Sequence, residues 1–134
     1  MLGEVMTAAV TPFGADGEVN YDAFADLCTY LDGHGSDGVG AGGTTGESPN
    51  LSDDERMRLI ATAVETVGDR ASVVAGTGTY STSHSVHLTR EAEKLGVDGY
   101  LVVTPYYNKP PPAGIVAHFA AIAEVTELSI IVYN

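Results

Sequence analysis

Apolar positions along this chain fall into two patterns that take turns. Short runs rich in β-branched residues alternate with longer stretches whose apolar residues recur at helical spacing. Val5 to Val10 reads as a first strand. Asn20 is placed to cap a helix that carries Phe24, Leu27 and Leu31 on one face, and Gly33 and Gly35 are placed to end it. Gly38 to Ala41 reads as a second strand. Ser52-Asp53-Asp54-Glu55 has the form of a capping box, in which the serine bonds the N3 amide and the glutamate reaches back to the cap amide. Behind it Met57, Ile60, Val64 and Val67 share a face, and Gly68-Asp69 closes the helix. Ser72 to Ala75 is the third strand. A helix from Ser83 to Leu95 follows, with Leu88, Ala92 and Leu95 in line and Gly96 as its C-cap. Gly99 to Val103 is the fourth strand. Pro110-Pro111-Pro112 marks a loop or a helix N-terminus, because proline lacks the N–H that regular pairing needs. Ile115, Phe119 and Ile122 form the next helical stripe, and Ser129 to Tyr133 is a fifth strand.

Regular alternation of strand and helix predicts a parallel sheet with helical crossovers in an α/β fold. Two architectures satisfy it, a doubly wound open sheet and a (β/α)8 barrel, and periodicity does not separate them. The chain stops one residue after the fifth strand, which leaves a sheet edge uncovered. A barrel of about 250 residues would be cut near its middle at that point. The expectation is therefore that residues 1–134 form part of a single domain, with no linker or second domain in view.

Composition narrows the function. The 134 residues carry 18 acids against 6 bases, a net charge of -12. That surface repels phosphate backbones, so nucleic acid is not an expected partner. With only two lysines, Lys94 and Lys109, the balance also suits a protein working in strong salt; an ordinary acidic enzyme is the alternative. No apolar run approaches the roughly 18 residues of a membrane span. The start, Met1-Leu2-Gly3-Glu4, has no basic region followed by an apolar one, so a cytoplasmic location is expected. The single cysteine, Cys28, lies at an apolar helical position and reads as a buried packing residue.

In parallel α/β folds chemistry sits where strands end and loops begin. The residues there are Thr11-Pro12-Phe13, Gly42-Gly43-Thr44-Thr45-Gly46-Glu47-Ser48, Gly76-Thr77-Gly78, Thr104-Pro105-Tyr106-Tyr107-Asn108 and Tyr133-Asn134. They are rich in glycine and hydroxyls and poor in charge. That set suits holding a small carboxylate on backbone amides and moving protons through Tyr and Thr; it does not suit a metal hydrolase. Gly40-Ala41-Gly42 starts like a dinucleotide fingerprint, but Thr45 stands at the third glycine and the stretch is not the first βα turn. His84 and His87 are three apart on a helix, but no third metal ligand is evident, and they read, with His34 and His118, as surface residues.

Gly43-Thr44-Thr45-Gly46-Glu47-Ser48-Pro49, Val103-Thr104-Pro105-Tyr106-Tyr107-Asn108-Lys109-Pro110 and Tyr133-Asn134, in this order and spacing, resemble the dihydrodipicolinate synthase family. Thr11-Pro12-Phe13 and Ala75-Gly76-Thr77-Gly78 fit the same pattern, so the resemblance runs over the whole chain. Gly-Thr-Thr-Gly-Glu is shared with a wider superfamily of N-acetylneuraminate lyase and keto-deoxy-sugar aldolases. The Tyr-Tyr-Asn segment and Ser48-Pro49 favour the synthase branch. The resemblance implies a (β/α)8 barrel, here reaching five strands and four helices.

It also implies a chemistry. The family condenses pyruvate with aspartate semialdehyde to 4-hydroxy-tetrahydrodipicolinate, on the route to lysine, through a pyruvate imine on a barrel lysine and with no separate cofactor or metal. By resemblance Thr44, Tyr107 and Tyr133 form a hydroxyl relay for protons. Thr44 and Thr45 hold the pyruvate carboxylate, and Tyr133 touches substrate. Tyr107 reaches into a neighbouring subunit's site, which implies a homo-oligomer, at least a dimer and in the family a dimer of dimers. The imine lysine and an arginine that follows the Tyr-Asn segment fall past Asn134, so residues 1–134 alone are not expected to catalyse the reaction. The family's lysine-inhibition site corresponds to Asp53, Arg56, Tyr80 and His84, which differ from its usual residues, and feedback by lysine is not expected. Two alternatives stand beside this reading: a sister aldolase acting on a keto-deoxy sugar acid, and a non-catalytic half-barrel that pairs with itself through open strand edges.

Overall fold

A computed structural model describes residues 2–134. Five strands alternate with four helices: β1 (Met6–Ala8), α1 (Tyr21–Gly33), β2 (Gly38–Ala41), α2 (Asp53–Val67), β3 (Ser72–Gly76), α3 (Thr82–Glu93), β4 (Gly99–Val103), α4 (Pro112–Ala123) and β5 (Ser129–Tyr133), with a 3-10 turn at Ser48–Asn50. All neighbouring strands are parallel and their spatial order is β1-β2-β3-β4-β5. A doubly wound sheet reverses its strand order at an internal switch point. This one does not, so the molecule is a half-barrel.

Alternation along each strand sorts its side chains to two faces. Val39, Ala41, Val73, Ala75, Tyr100 and Val102 point to one side and enter a continuous apolar core with Phe24, Cys28, Leu59, Ile60, Ala63, Val67, Ala92 and Ile122 from the helices. Each helix packs on the next, α1 on α2, α2 on α3 and α3 on α4, as an outer layer. The opposite face of the sheet carries glycines and aliphatic residues: Gly38, Gly40, Val74, Gly76, Leu101 and Val103. Gly38 is held to glycine by proximity, since a Cβ there would lie 2.8 Å from the Ser72 carbonyl oxygen.

The caps behave as their chemistry requires. Asn20 Oδ1 accepts from the Ala23 amide at 3.0 Å. Ser52 Oγ accepts from the Glu55 amide, while Glu55 Oε2 accepts from the Ser52 amide at 2.8 Å, the full reciprocal box. Pro111 precedes α4 and Pro112 opens it, where a missing N–H costs nothing. Gly35 and Gly96 take φ of +97° and +83° just past α1 and α3.

Several boundaries and faces differ from the sequence reading. β1 is Met6–Ala8 rather than Val5 to Val10, because Val5 and Val10 are each 52% exposed and flank the paired stretch. α3 ends at Glu93, leaving Leu95 to pack from the turn. On α2 the deepest stripe is Arg56, Leu59, Ile60, Ala63 and Val67; Met57 and Val64 lie on its flank. His118, read as a surface residue, is 2% exposed: its Nδ1 bonds Thr82 Oγ1 at 2.9 Å across α3 and α4. Cys28 is buried as expected, and burial pushes its thiol up to about 11.

The end of the sheet away from the candidate site is laced by two aspartates. Asp37 Oδ2 accepts from the Glu4 and Val5 amides, and Asp98 Oδ2 accepts from the Val73 amide, each at 2.8 Å. Both precede a glycine that opens an even-numbered strand, Gly38 and Gly99. Conversely, no helix among the described residues is long and apolar enough to cross a membrane.

Candidate active site at the strand ends

A small cleft opens at the C-terminal ends of β2 to β5. Its lining is Gly42, Gly43, Thr44, Ser48, Gly76, Gly78, Leu101, Val103 and Tyr133. Register places Tyr133 beside Val103, so the tyrosine joins the same wall as the β4 end. The floor is made by backbone approach: a Cβ on Gly76 would run into the Gly42 carbonyl, and would sit 2.7 Å from the Gly43 amide nitrogen. A Cβ on Gly78 would lie 3.0 Å from Val102 backbone atoms. Three strand ends thus meet where only glycine fits.

The loop from Gly43 to Ser48 is folded into a tight ring. The Gly46 and Ser48 amides both donate to the Gly43 carbonyl, and the Glu47 amide donates to the Thr44 carbonyl. Glu47 takes a left-handed φ of +56°, an uncommon conformation for a residue with a side chain. Two outside groups bolt the ring. Thr11, 6% exposed at the end of β1, donates from Oγ1 to the Gly46 carbonyl at 2.6 Å. Arg56 Nη2 donates to the Ser48 carbonyl at 2.7 Å from α2. The Thr44 and Thr45 amides donate to no group among the described residues. Two neighbouring N–H groups beside a hydroxyl, on a loop that is otherwise self-satisfied, form a ready seat for a carboxylate.

Behind β3 a buried hydroxyl ladder fixes the Gly76-Thr77-Gly78 corner. Thr89 Oγ1 bonds Thr77 Oγ1 at 2.9 Å, and Ser85 Oγ accepts from the Thr79 amide at 2.8 Å.

Of the expected site residues, the structure brings Thr44 and Tyr133 into one cleft and leaves Thr45 beside it on the exposed loop. Tyr107 is not in this cleft. It is 97% exposed, and its backbone is left-handed at φ +68°. The loop behind it is braced: Asn108 Nδ2 donates to the Tyr80 carbonyl, and Tyr80 and Tyr106 meet edge to face at 5.6 Å. His84 turns to Asp53 at 2.9 Å. No three His, Cys, Asp or Glu side chains among the described residues cluster as metal ligands do. Roomier hollows elsewhere, one lined by Asp16 and Glu18 of the β1–α1 loop with Asp22 and Arg58 of the helices, hold charged surface side chains rather than converging hydroxyls.

Sequence reasoning passed over Arg56 as a partner of this loop. The signal was present: Arg56 lies three, four, seven and eleven residues before Leu59, Ile60, Ala63 and Val67, on the stripe that goes deepest.

Comparison with known proteins identifies the family. The model of the dihydrodipicolinate synthetase family matches residues 1–134. The chain belongs to that family. A 4-hydroxy-tetrahydrodipicolinate synthase of Acidothermus cellulolyticus is 54% identical over 133 residues, covering 99% of this chain and 43% of the relative. A crystal structure of a dihydrodipicolinate synthase from Bacillus anthracis superimposes with a TM-score of 0.97 at 42% identity, covering 100% of this chain and 46% of that one. The chain thus spans less than half the length of the family members it matches. CdNal from Clostridium difficile, solved in complex with mannosamine, shares the fold at a TM-score of 0.91, with 27% identity. The sister-aldolase alternative is therefore not favoured.

Proposed function

We propose that this chain supplies the proton-relay and carboxylate-binding half of an enzyme that condenses pyruvate with aspartate semialdehyde to 4-hydroxy-tetrahydrodipicolinate. The observation that carries the reading is the shared cleft of Thr44 and Tyr133 under two free loop amides, in a chain of this family.

In this reading the amine of a lysine adds to the pyruvate ketone and water leaves, giving an imine. Loss of a methyl proton gives the enamine, whose carbon attacks the aldehyde. Thr44 and Tyr133 carry protons to and from the carbinolamine oxygen, and the Thr44 and Thr45 amides hold the carboxylate. No metal or separate cofactor takes part. The amine comes from outside residues 1–134. Lys94 follows α3 and pairs with Glu91 at 2.7 Å on the surface, and Lys109 is exposed in the β4–α4 loop.

Tyr107 belongs to the relay of a neighbouring copy. Its full exposure and left-handed backbone suit a ring extended toward a partner better than one held for its own cleft. The working form in this reading is a homo-oligomer, and its compartment is the cytoplasm.

The test uses the full product of the gene. Intact mass after pyruvate and borohydride shows one reduced pyruvate adduct if the reading holds. Turnover then favours aspartate semialdehyde over glyceraldehyde. No adduct overturns the imine chemistry, whereas an adduct with preference for glyceraldehyde overturns the substrate and restores the sister aldolase.

A further inference from the structure

We infer that Arg56, which lines no part of the cleft, is a positioning residue that holds the Thr44 loop in shape from behind. The inference deepens the function proposed above and rests on it only for its kinetic consequences.

Arg56 is 4% exposed, and it is the only buried cation among the described residues. Its Nε and Nη1 groups meet no partner, and no carboxylate bonds it. Asp53, one turn earlier on α2, is taken by His84. A buried guanidinium whose one hydrogen bond goes to a carbonyl is an expensive way to fill a core, and an apolar side chain of similar volume serves stability as well or better. Burial lowers its pKa, and the nearby charge of Asp53 offsets only part of that penalty.

What the guanidinium touches explains its place. Its single bond goes to the Ser48 carbonyl at 2.7 Å, one residue after the left-handed Glu47. Its stem lies under Gly42, where an added Cβ would be 3.2 Å from Arg56 Cγ. Gly42 leads into the ring that presents Thr44 and Ser48 closes it, and both line the cleft. Thr11 fixes the ring at Gly46 from the β1 side; Arg56 fixes it from the α2 side. Remove the guanidinium and the strained Glu47 corner keeps only the first of these two anchors. A poorly screened positive charge behind the loop also favours an anion in front of it, in a chain whose net charge is -12.

The experiment compares Arg56→Met and Arg56→Lys with the unsubstituted full gene product. Hydrogen exchange at the ring-bonded amides of Gly46, Glu47 and Ser48, without substrate, reads the brace itself. It should speed up about tenfold in Arg56→Met, the value of one charge-assisted bond, and stay near the unsubstituted rate in Arg56→Lys, which keeps charge and donor. The KM for pyruvate should rise about tenfold in Arg56→Met with kcat changed less, while the midpoint of thermal unfolding holds or rises. Unchanged exchange in the folded Met variant overturns the inference, as does a Lys variant no better than Met. If Met is not accommodated, Arg56→Leu, which likewise lacks a donor and a charge, replaces it with the same expected results. Faster exchange in a protein that forms no pyruvate adduct would sink the proposed function and leave the brace standing.

Discussion

Gly76→Ala tests whether the floor of the cleft is as tight as its geometry states. The added methyl would meet the Gly42 carbonyl, lie 2.5 Å from the Gly42 carbonyl carbon, and sit 2.7 Å from the Gly43 amide nitrogen. All three are backbone atoms, so no side chain can swing aside to admit it. Overpacking of this kind costs roughly 1–3 kcal/mol, and a backbone-on-backbone clash belongs at the upper end, about 3 kcal/mol. Against a total stability of about 5–15 kcal/mol, that is a large share. Gly33→Ala is the internal control. Gly33 ends α1 in the outer helical layer, and its added Cβ would meet nothing within 4 Å. The expected change there is within about 0.5 kcal/mol. Urea unfolding of the two variants and the parent, in the full gene product, measures both. Equal midpoints for the two variants would refute the argument that strand ends meet at Gly76 and Gly42.

Three further outcomes follow from local chemistry. Ser52→Ala removes one half of the capping box on α2 and should cost about 1 kcal/mol by urea unfolding, with Ser52→Thr close to the parent because its hydroxyl can still accept from the Glu55 amide and donate to the Glu55 carboxylate. Asp98→Ala should cost about 1–2 kcal/mol by the same assay, and Asp98→Asn much less, because the amide oxygen can still accept from Val73. Burial lowers the pKa of His118, so the unfolded chain binds its proton first as pH falls. Stability from this group is then complete above the unfolded value of about 6.5 and is lost as pH falls below it. Unfolding midpoints at several pH values should show that decline in the parent and a flatter profile in His118→Gln.

Much of the fold was legible because local rules and the global arrangement agree. The capping box at Ser52, the proline pair before α4 and the glycines after α1 and α3 each state a helix boundary in the chemistry of one or two residues. The strand-end loops, rich in glycine and hydroxyls, marked where a candidate site lies. What stayed hidden depends on depth and direction. Periodicity marks a helix face but not which of two adjacent stripes goes deepest, so Met57 and Val64 were preferred to Leu59 and Ala63. A charged or titratable residue on such a stripe gives no sign of its depth until its neighbours are known, which is why His118 reads as surface and Arg56 passes unnoticed as a partner of the loop. The left-handed backbone of Glu47 and Tyr107 has no glycine to announce it, and only the folded loops reveal it. The choice between open sheet and barrel needed either the family resemblance or the strand order, because both architectures use the same βα units.

The central claim is that protons move through Thr44 and Tyr133 in the strand-end cleft. The rate at which borohydride traps pyruvate on the full gene product tests it most directly, compared among the parent, Thr44→Val and Tyr133→Phe at matched stability. The account predicts trapping slowed about a hundredfold or more in each variant, the size of a lost acid–base contribution. Trapping at the parental rate in both would contradict it and place the relay on other residues.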